Sequence, residues 1–342
     1  MHPGGIARTV FVLACACFAL SAAQAQTPAD FYKGKTVELY IGYSVGGGYD
    51  LYARLLTRHL GKHIPGNPTI VPKNMEGAGS LRLANWLANA APRDGTAFGT
   101  VGRAVAFDPL LGFPGAQFKG TDFSWIGSAN NEVSICVSSA TSTITTMKDL
   151  LTHEMVIGGT GSSDDTVQFP RILNAVLGTK FKIVSGYPGG NDVILAMERG
   201  EVQGRCGWSW STVMATHADW VKQKKIHILA QLALHKHPEL PDVPLITEFA
   251  QSKEQEQLLK LIFARQAVGR PFMAPPGIPK DRLAALREAF METMTDKDFL
   301  ADAERSKVEI VPVDGEHIEQ LIKEVYETPE PIVKKAAAIL NK

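Results

Sequence analysis

No apolar run in this 342-residue chain reaches the roughly 20 residues that a membrane-spanning helix needs. The run from Val10 to Leu20 is too short, and no later stretch is long enough. Charge of one sign is not in excess either, since 35 Lys and Arg balance 35 Asp and Glu. The bulk electrostatic attraction on which nucleic-acid binders depend is therefore missing, and no nucleic-acid partner is expected. Cysteine is scarce, with only Cys15, Cys17, Cys136 and Cys206. His235 and His237 lie in a Pro-flanked loop without partners at ligand spacing, so no metal is expected. What the chain does have is apolar material: 45% hydrophobic residues against 20% charged is enough for one large or two medium domains.

Residues 1–25 differ from the rest, with one base (Arg8), no acid, the apolar run, and then Ser21-Ala22-Ala23-Gln24-Ala25. This is the layout of a secretory signal peptide, with Ala23-Gln24-Ala25 as the small-x-small cleavage motif. The mature chain is expected to be exported and soluble. Cleavage removes Cys15 and Cys17 and leaves Cys136 and Cys206 in an oxidising compartment. There they form either one disulfide or two buried thiols, because spacing does not reveal proximity.

Val37, Leu39 and Ile41 alternate with Glu38 and Tyr40 and predict a strand, followed by the turn Ser44 to Gly48. Tyr52, Leu55, Leu56 and Leu60 then recur at helical spacing, with Asp50 near the start, Arg58 and Lys62 near the end and Gly61 as a C-cap. A strand at 69–71, a helix through Leu83, Leu87 and Ala91, and a strand at 96–101 complete two βαβ units, which argue for a parallel sheet. After an irregular region at 108–124 and a strand at 133–137, the rhythm restarts with a strand at 155–157, a glycine turn and a helix through Phe169, Ile172 and Val176. Pro170 predicts a helix start or kink there. A strand at 181–184, a helix at 191–199, a strand at 202–206, and helices around Leu286 and Leu321 follow.

Three loops, 44–49, 160–165 and 188–191, share one plan: a strand opens into glycine and small hydroxyl residues just before a helix. Amides at such helix starts suit a carboxylate or phosphate without any Lys or Arg, and ligands of open α/β sheets sit at these strand ends. Arg103 and Arg205 are candidate carboxylate clamps, each set against the plainer reading of an Arg paired with a structural acid. Trp208 and Trp210 either wall a pocket or pack in the core, and Asp50 either orients the first loop or answers the helix dipole. Leu51 stands where a dinucleotide fingerprint needs Gly, Ala29 where a P-loop needs one, and Ser211 where a nucleophile elbow needs one. No cofactor and no catalysis are therefore expected. The rival readings are a secreted enzyme using Asp164, Asp165 or His217 as acid or base, and a ligand receptor for a membrane sensor.

The series Ile41 to Asp50, Asn74 to Ser80, Pro92-Arg93-Asp94-Gly95-Thr96, Gly186 to Gly190, Gly200-Glu201-Val202, Leu240 to Pro244 and Ala274 to Pro279 resembles the extracytoplasmic receptors of tripartite tricarboxylate transporters, also called Bug receptors. The resemblance covers nearly the whole mature chain. It implies an α/β periplasmic binding protein of two type II-like lobes, each a mostly parallel sheet flanked by helices, with a ligand cleft between them. Lobe 1 would comprise 26–127 and 266–342, and lobe 2 would comprise 128–265. The implied ligand is a small di- or tricarboxylate or aromatic carboxylate, and the implied partners are membrane permease subunits served by a monomer in the periplasm. The implied ligand-binding residues are Ser44, Val45, Gly46, Gly47, Gly48 and Asp50 in the first loop and Thr160, Gly161, Ser162 and Ser163 in the second, with Tyr43, Asp165 and Tyr187 beside these loops as further candidates. Arg103, Arg205 and Trp208 join them as candidates. One departure from the family pattern is Asp164-Asp165-Thr166, which replaces the usual Ser-rich segment with a His.

The expectation is thus that facing amides from two lobes, in place of cationic side chains or a metal, neutralise an organic anion. Gly47→Asp would put a carboxylate where the ligand's should sit, so calorimetry should find binding abolished in a folded variant. Unchanged affinity would contradict this.

Overall fold

The computed structural model describes residues 26–341. The expected signal peptide at 1–25, with Cys15 and Cys17, lies outside the described residues. The chain runs α1 (Pro28–Tyr32), β1 (Thr36–Ile41), α2 (Gly48–His59), β2 (Thr69–Asn74), α3 (Leu81–Asn89), β3 (Ala97–Thr100) and β4 (Ser124–Ser128). It continues through β5 (Ser134–Ser139), β6 (Met155–Gly159), α4 (Asp165–Leu177), β7 (Phe181–Ser185), α5 (Gly190–Glu198), β8 (Gly204–Ser209), α6 (Trp210–Thr216), α7 (Ala218–Lys222) and β9 (Ile226–Leu232). It ends with α8 (Lys253–Phe263), β10 (Pro271–Ala274), α9 (Lys280–Thr295), α10 (Lys297–Arg305), β11 (Val313–Asp314), α11 (Gly315–Tyr326) and α12 (Glu330–Leu340). None of the described helices is long and apolar enough to cross a membrane.

The strands form two sheets, ordered β11-β4-β10-β3-β1-β2 and β7-β6-β8-β5-β9. Burial of Val37, Leu39 and Ile41 on one side of β1 follows the alternation of its sequence. β1 pairs in parallel with β2 and β3, as the two βαβ units require. The expectation of mostly parallel sheets is corrected, because both are mixed. In the first sheet β10 runs antiparallel to β3 and β4, and β11 antiparallel to β4. In the second, β5 runs antiparallel to β8 and β9, while β6 is parallel to β7 and β8. The cause is connectivity: β5 and β10 each enter their sheet from the other one, not from a helix on the same sheet, so no crossover rule fixes their direction.

Two segments carry the chain between the sheets, 129–133 and 264–270, and they lie side by side. The Ala129 amide donates to the Arg270 carbonyl (3.1 Å) and the Gly269 amide to the Asn130 carbonyl (2.9 Å). The last helix, α12, packs on α4 beside the second sheet, where Arg171 donates to the Leu340 carbonyl (2.9 Å). Pro170 falls inside α4 and does not begin it; the helix starts instead at Asp165, with Asp164 as its side-chain cap. Helix α2 passes into a 3₁₀ turn at Leu60–Lys62, so the expected Gly61 cap is replaced by a backbone bond at Leu60.

Cys136 on β5 and Cys206 on β8 are both buried and are paired as a disulfide across these neighbouring strands. The bridge spans 70 residues, a loop length for which the chain-entropy view gives up to about 4 kcal/mol of stabilisation. Urea unfolding should therefore show a drop of about 2–4 kcal/mol under reducing conditions. A midpoint indifferent to reductant would mean that the bridge does not form in solution.

Candidate functional site

The carboxyl ends of β1, β6 and β8 and the starts of α2, α4 and α5 converge on one cleft. Tyr43, Gly46, Gly47, Gly48, Arg103, Thr160, Asp165, Arg205 and Trp208 all line it, as the sequence suggested. The chain is drawn tight around it. A Cβ on Gly48 would fall 2.2 Å from Thr212 Oγ1, and one on Gly161 would fall 2.5 Å from the Gly79 amide nitrogen. Only glycine permits such approach at these two positions.

Other expected residues serve the walls. The Ser44 hydroxyl donates to Asp192 (2.6 Å), and Asn191 Nδ2 donates to the Val45 carbonyl (2.8 Å), so the first and third loops are tied together. Val45 itself is 60% exposed and points no apolar surface into the cleft. Asp50 is buried, pairs with Arg54 (2.9 Å) and accepts from the Gly46 amide (2.9 Å); it organises the first loop. Gly161 packs against Ala78 and Gly79, Ser162 is exposed, and Ser163 donates to Asp108. Tyr187 packs on the apolar cluster that includes Trp208 and Trp220.

Amides and cations share the site differently from expectation. The Gly46 amide is taken by Asp50, the Thr160 amide by Thr166 Oγ1 (2.9 Å) and the Thr166 amide by Asp164 Oδ1 (2.9 Å). The start of α4 is thus answered by the chain's own carboxylate. Three arginines line the cleft instead: Arg103, Arg205 and Arg270. Arg103 is buried and paired with Asp165 (3.0 Å), which Arg265 also approaches at 3.5 Å; here the plainer structural reading holds. Arg270 is buried, pairs with Glu132 (3.2 Å) and donates to Thr212 Oγ1 (2.9 Å). It lies 4.9 Å from the ring centroids of both Tyr49 and Tyr52.

Arg205 differs. It donates to the Gly190 carbonyl (2.9 Å) and lies 5.5 Å from the Trp208 ring centroid. Its Nε is buried without a hydrogen-bond partner, and among the described residues no carboxylate lies within 4.0 Å of its guanidinium. Burial pushes Arg205 down to about 10, against the pull of Asp164. Charge withdrawn from water without a partner is costly, and such a group is completed by an anion. Trp208, buried beside His217 (5.3 Å between ring centroids), supplies an aromatic wall together with Ile194. Trp210 is turned to Glu239, to which its indole nitrogen donates (2.7 Å).

Sequence reasoning missed Tyr49, Asn191, Thr212 and Arg270. Tyr49 stacks on Tyr43 at 4.5 Å and accepts from the Arg103 amide (3.2 Å). Its place one residue after the glycine triplet was the available signal. Arg270 carries no local motif, since it stands in a crossover segment whose partner segment is remote in sequence.

Asp108 is fully buried behind the second loop, where Ser163 Oγ and Gln168 Nε2 (3.3 Å) bond to it. Burial pushes its carboxyl up to about 8. Between about 4, the ordinary value, and that raised one, the folded chain holds a proton that the unfolded chain has released. Stability is therefore expected to fall as pH rises through this window, by an amount on the order of a few kcal/mol. Asp108→Asn should flatten that slope in urea unfolding, and a difference from the parent protein that does not change with pH would contradict this.

Comparison with known proteins places these features in a family. Residues 53–338 match the family described as "Tripartite tricarboxylate transporter family receptor". A Cupriavidus necator protein, known as "UPF0065 protein in gbd 5'region", is 24% identical over 345 aligned residues, covering 96% of each chain. The fold is similar to that of the periplasmic binding protein BugD, with a TM-score of 0.72 at 18% identity, over 89% of this chain and 98% of that one. It is also similar to MatC from Rhodopseudomonas palustris with bound malate, with a TM-score of 0.68 at 19% identity, over 87% of this chain and 99% of that one. The two mixed sheets with the cleft at their strand ends are the architecture of two-lobed periplasmic binding proteins, and the chain belongs to the tripartite tricarboxylate transporter receptor family.

Proposed function

We propose that this protein captures a small organic carboxylate in the periplasm and passes it unchanged to membrane permease subunits of a tripartite tricarboxylate transporter. One observation carries the reading: Arg205 lines the cleft as a half-buried side chain whose guanidinium has a buried, unpartnered Nε and no carboxylate of the described residues within 4.0 Å. A ligand carboxylate would complete it through charge-assisted hydrogen bonds, each about twice as strong as a neutral one. The first turn of α2 adds the positive end of a helix dipole, worth about 0.3–1 kcal/mol, or near 2 when partly buried. The malate bound to MatC supports a carboxylate class for the site.

Binding without turnover is favoured by the state of the acids in the cleft. Asp165 is engaged by Arg103 and Arg265, and Asp164 accepts from Tyr43 and Thr166, so both carboxylates are held by groups of the protein itself. Lobe closure by hinge motion about the paired crossover segments would explain how Ser44 and Asn191 meet across the cleft.

A thermal-shift screen over aliphatic and aromatic carboxylates should find a stabilising ligand, recovered intact by mass spectrometry. Arg205→Met should weaken that ligand by about thirtyfold or more while leaving the melting temperature of the free protein near the parent value. Turnover of the ligand, or full affinity in the folded variant, would refute the reading.

A further inference from the structure

Among the charges facing the cleft, one cation and one carboxylate feel each other's field but have no ion-pair partner within 4.0 Å. Arg103 is neutralised by Asp165 and Arg270 by Glu132. Arg205 has no carboxylate within 4.0 Å among the described residues. On the other side, Asp164 lines the same cleft, and among the described residues no cationic group lies within 4.0 Å of it. Its bonds come from neutral donors: the Tyr43 hydroxyl (2.5 Å), the Thr166 amide (2.9 Å) and the Thr166 hydroxyl (2.5 Å). These satisfy a helix cap and a contact across the cleft, but they leave the negative charge in place.

We infer that the ligand is an amino carboxylate, a zwitterion with its carboxylate on Arg205 and its ammonium toward Asp164. The inference rests on the carboxylate reading of Arg205 and adds the second pole. A dicarboxylate would bring two negative charges to one unmatched cation and would set one of them near Asp164, where like charges repel. An ammonium brings three donors and the opposite sign. Asp164 Oδ2 receives a single donor, from Tyr43, and retains a lone pair for it.

Calorimetry on the full mature protein tests this with matched pairs that differ only in the second pole: glycine against malonate, β-alanine against succinate, 4-aminobutyrate against glutarate and 5-aminopentanoate against adipate. The expected result is that at least one amino carboxylate binds about tenfold or more tightly than its dicarboxylate partner. Asp164→Asn keeps an acceptor for Tyr43 and remains a good helix cap, so it should fold and lose that preference. Preference for the dicarboxylates, binding of no amino carboxylate, or an undiminished preference in Asp164→Asn would overturn the inference. The carboxylate reading fails separately, if Arg205→Met still binds its ligand with parent affinity.

Discussion

A guanidinium taken out of water needs an anion, and the cleft of this protein is arranged around one that lacks it. Arg205 stands on β8, held in place by the Gly190 carbonyl and the Trp208 ring. Neither neutralises it. Leaving a charge uncompensated as it is withdrawn from water is costly, and the proposed ligand carboxylate would remove that cost. The neighbouring carboxylates Asp165 and Glu132 are engaged by Arg103, Arg265 and Arg270.

This division of charge explains why the fold brings so many ionic groups to one place. The crossover segments supply Glu132 and Arg270, the first sheet supplies Arg103 after β3, and the second sheet supplies Asp164, Asp165 and Arg205. Each ion pair links segments far apart in the chain, and together they fix the geometry of the cleft where the two sheets meet. The glycines at 48 and 161 serve the same end by letting the walls approach. In the proposed reading, affinity comes from a charge and a helix start already in place when the lobes close.

Much of the fold was legible because its elements are amphipathic. The alternation in β1 and the helical spacing through α2 reflect one-sided burial, and the glycine loop between them marked the cleft correctly. β4 and β10 were missed for the opposite reason: every residue of both strands is buried, so no alternation remains to be read. The direction of β5 and β10 depends on connections between sheets, which periodicity does not encode. At the site, Arg205 stood out as a charge in an apolar stretch, but whether it had a partner was a question about distant residues. Arg103 looked similar and proved to be paired. Asp164 was legible as an acid of the second glycine loop and as a candidate acid or base, but its cap of α4, which replaced the amide cradle that the loop suggested, was not.

The central claim is that a ligand carboxylate is the missing partner of Arg205. A crystal structure of the protein with its bound ligand measures this directly. The account expects a carboxylate oxygen about 2.7–2.9 Å from a guanidinium nitrogen of Arg205, the range of charge-assisted pairs. A ligand held elsewhere in the cleft, with Arg205 still bonded only to the Gly190 carbonyl, would contradict it.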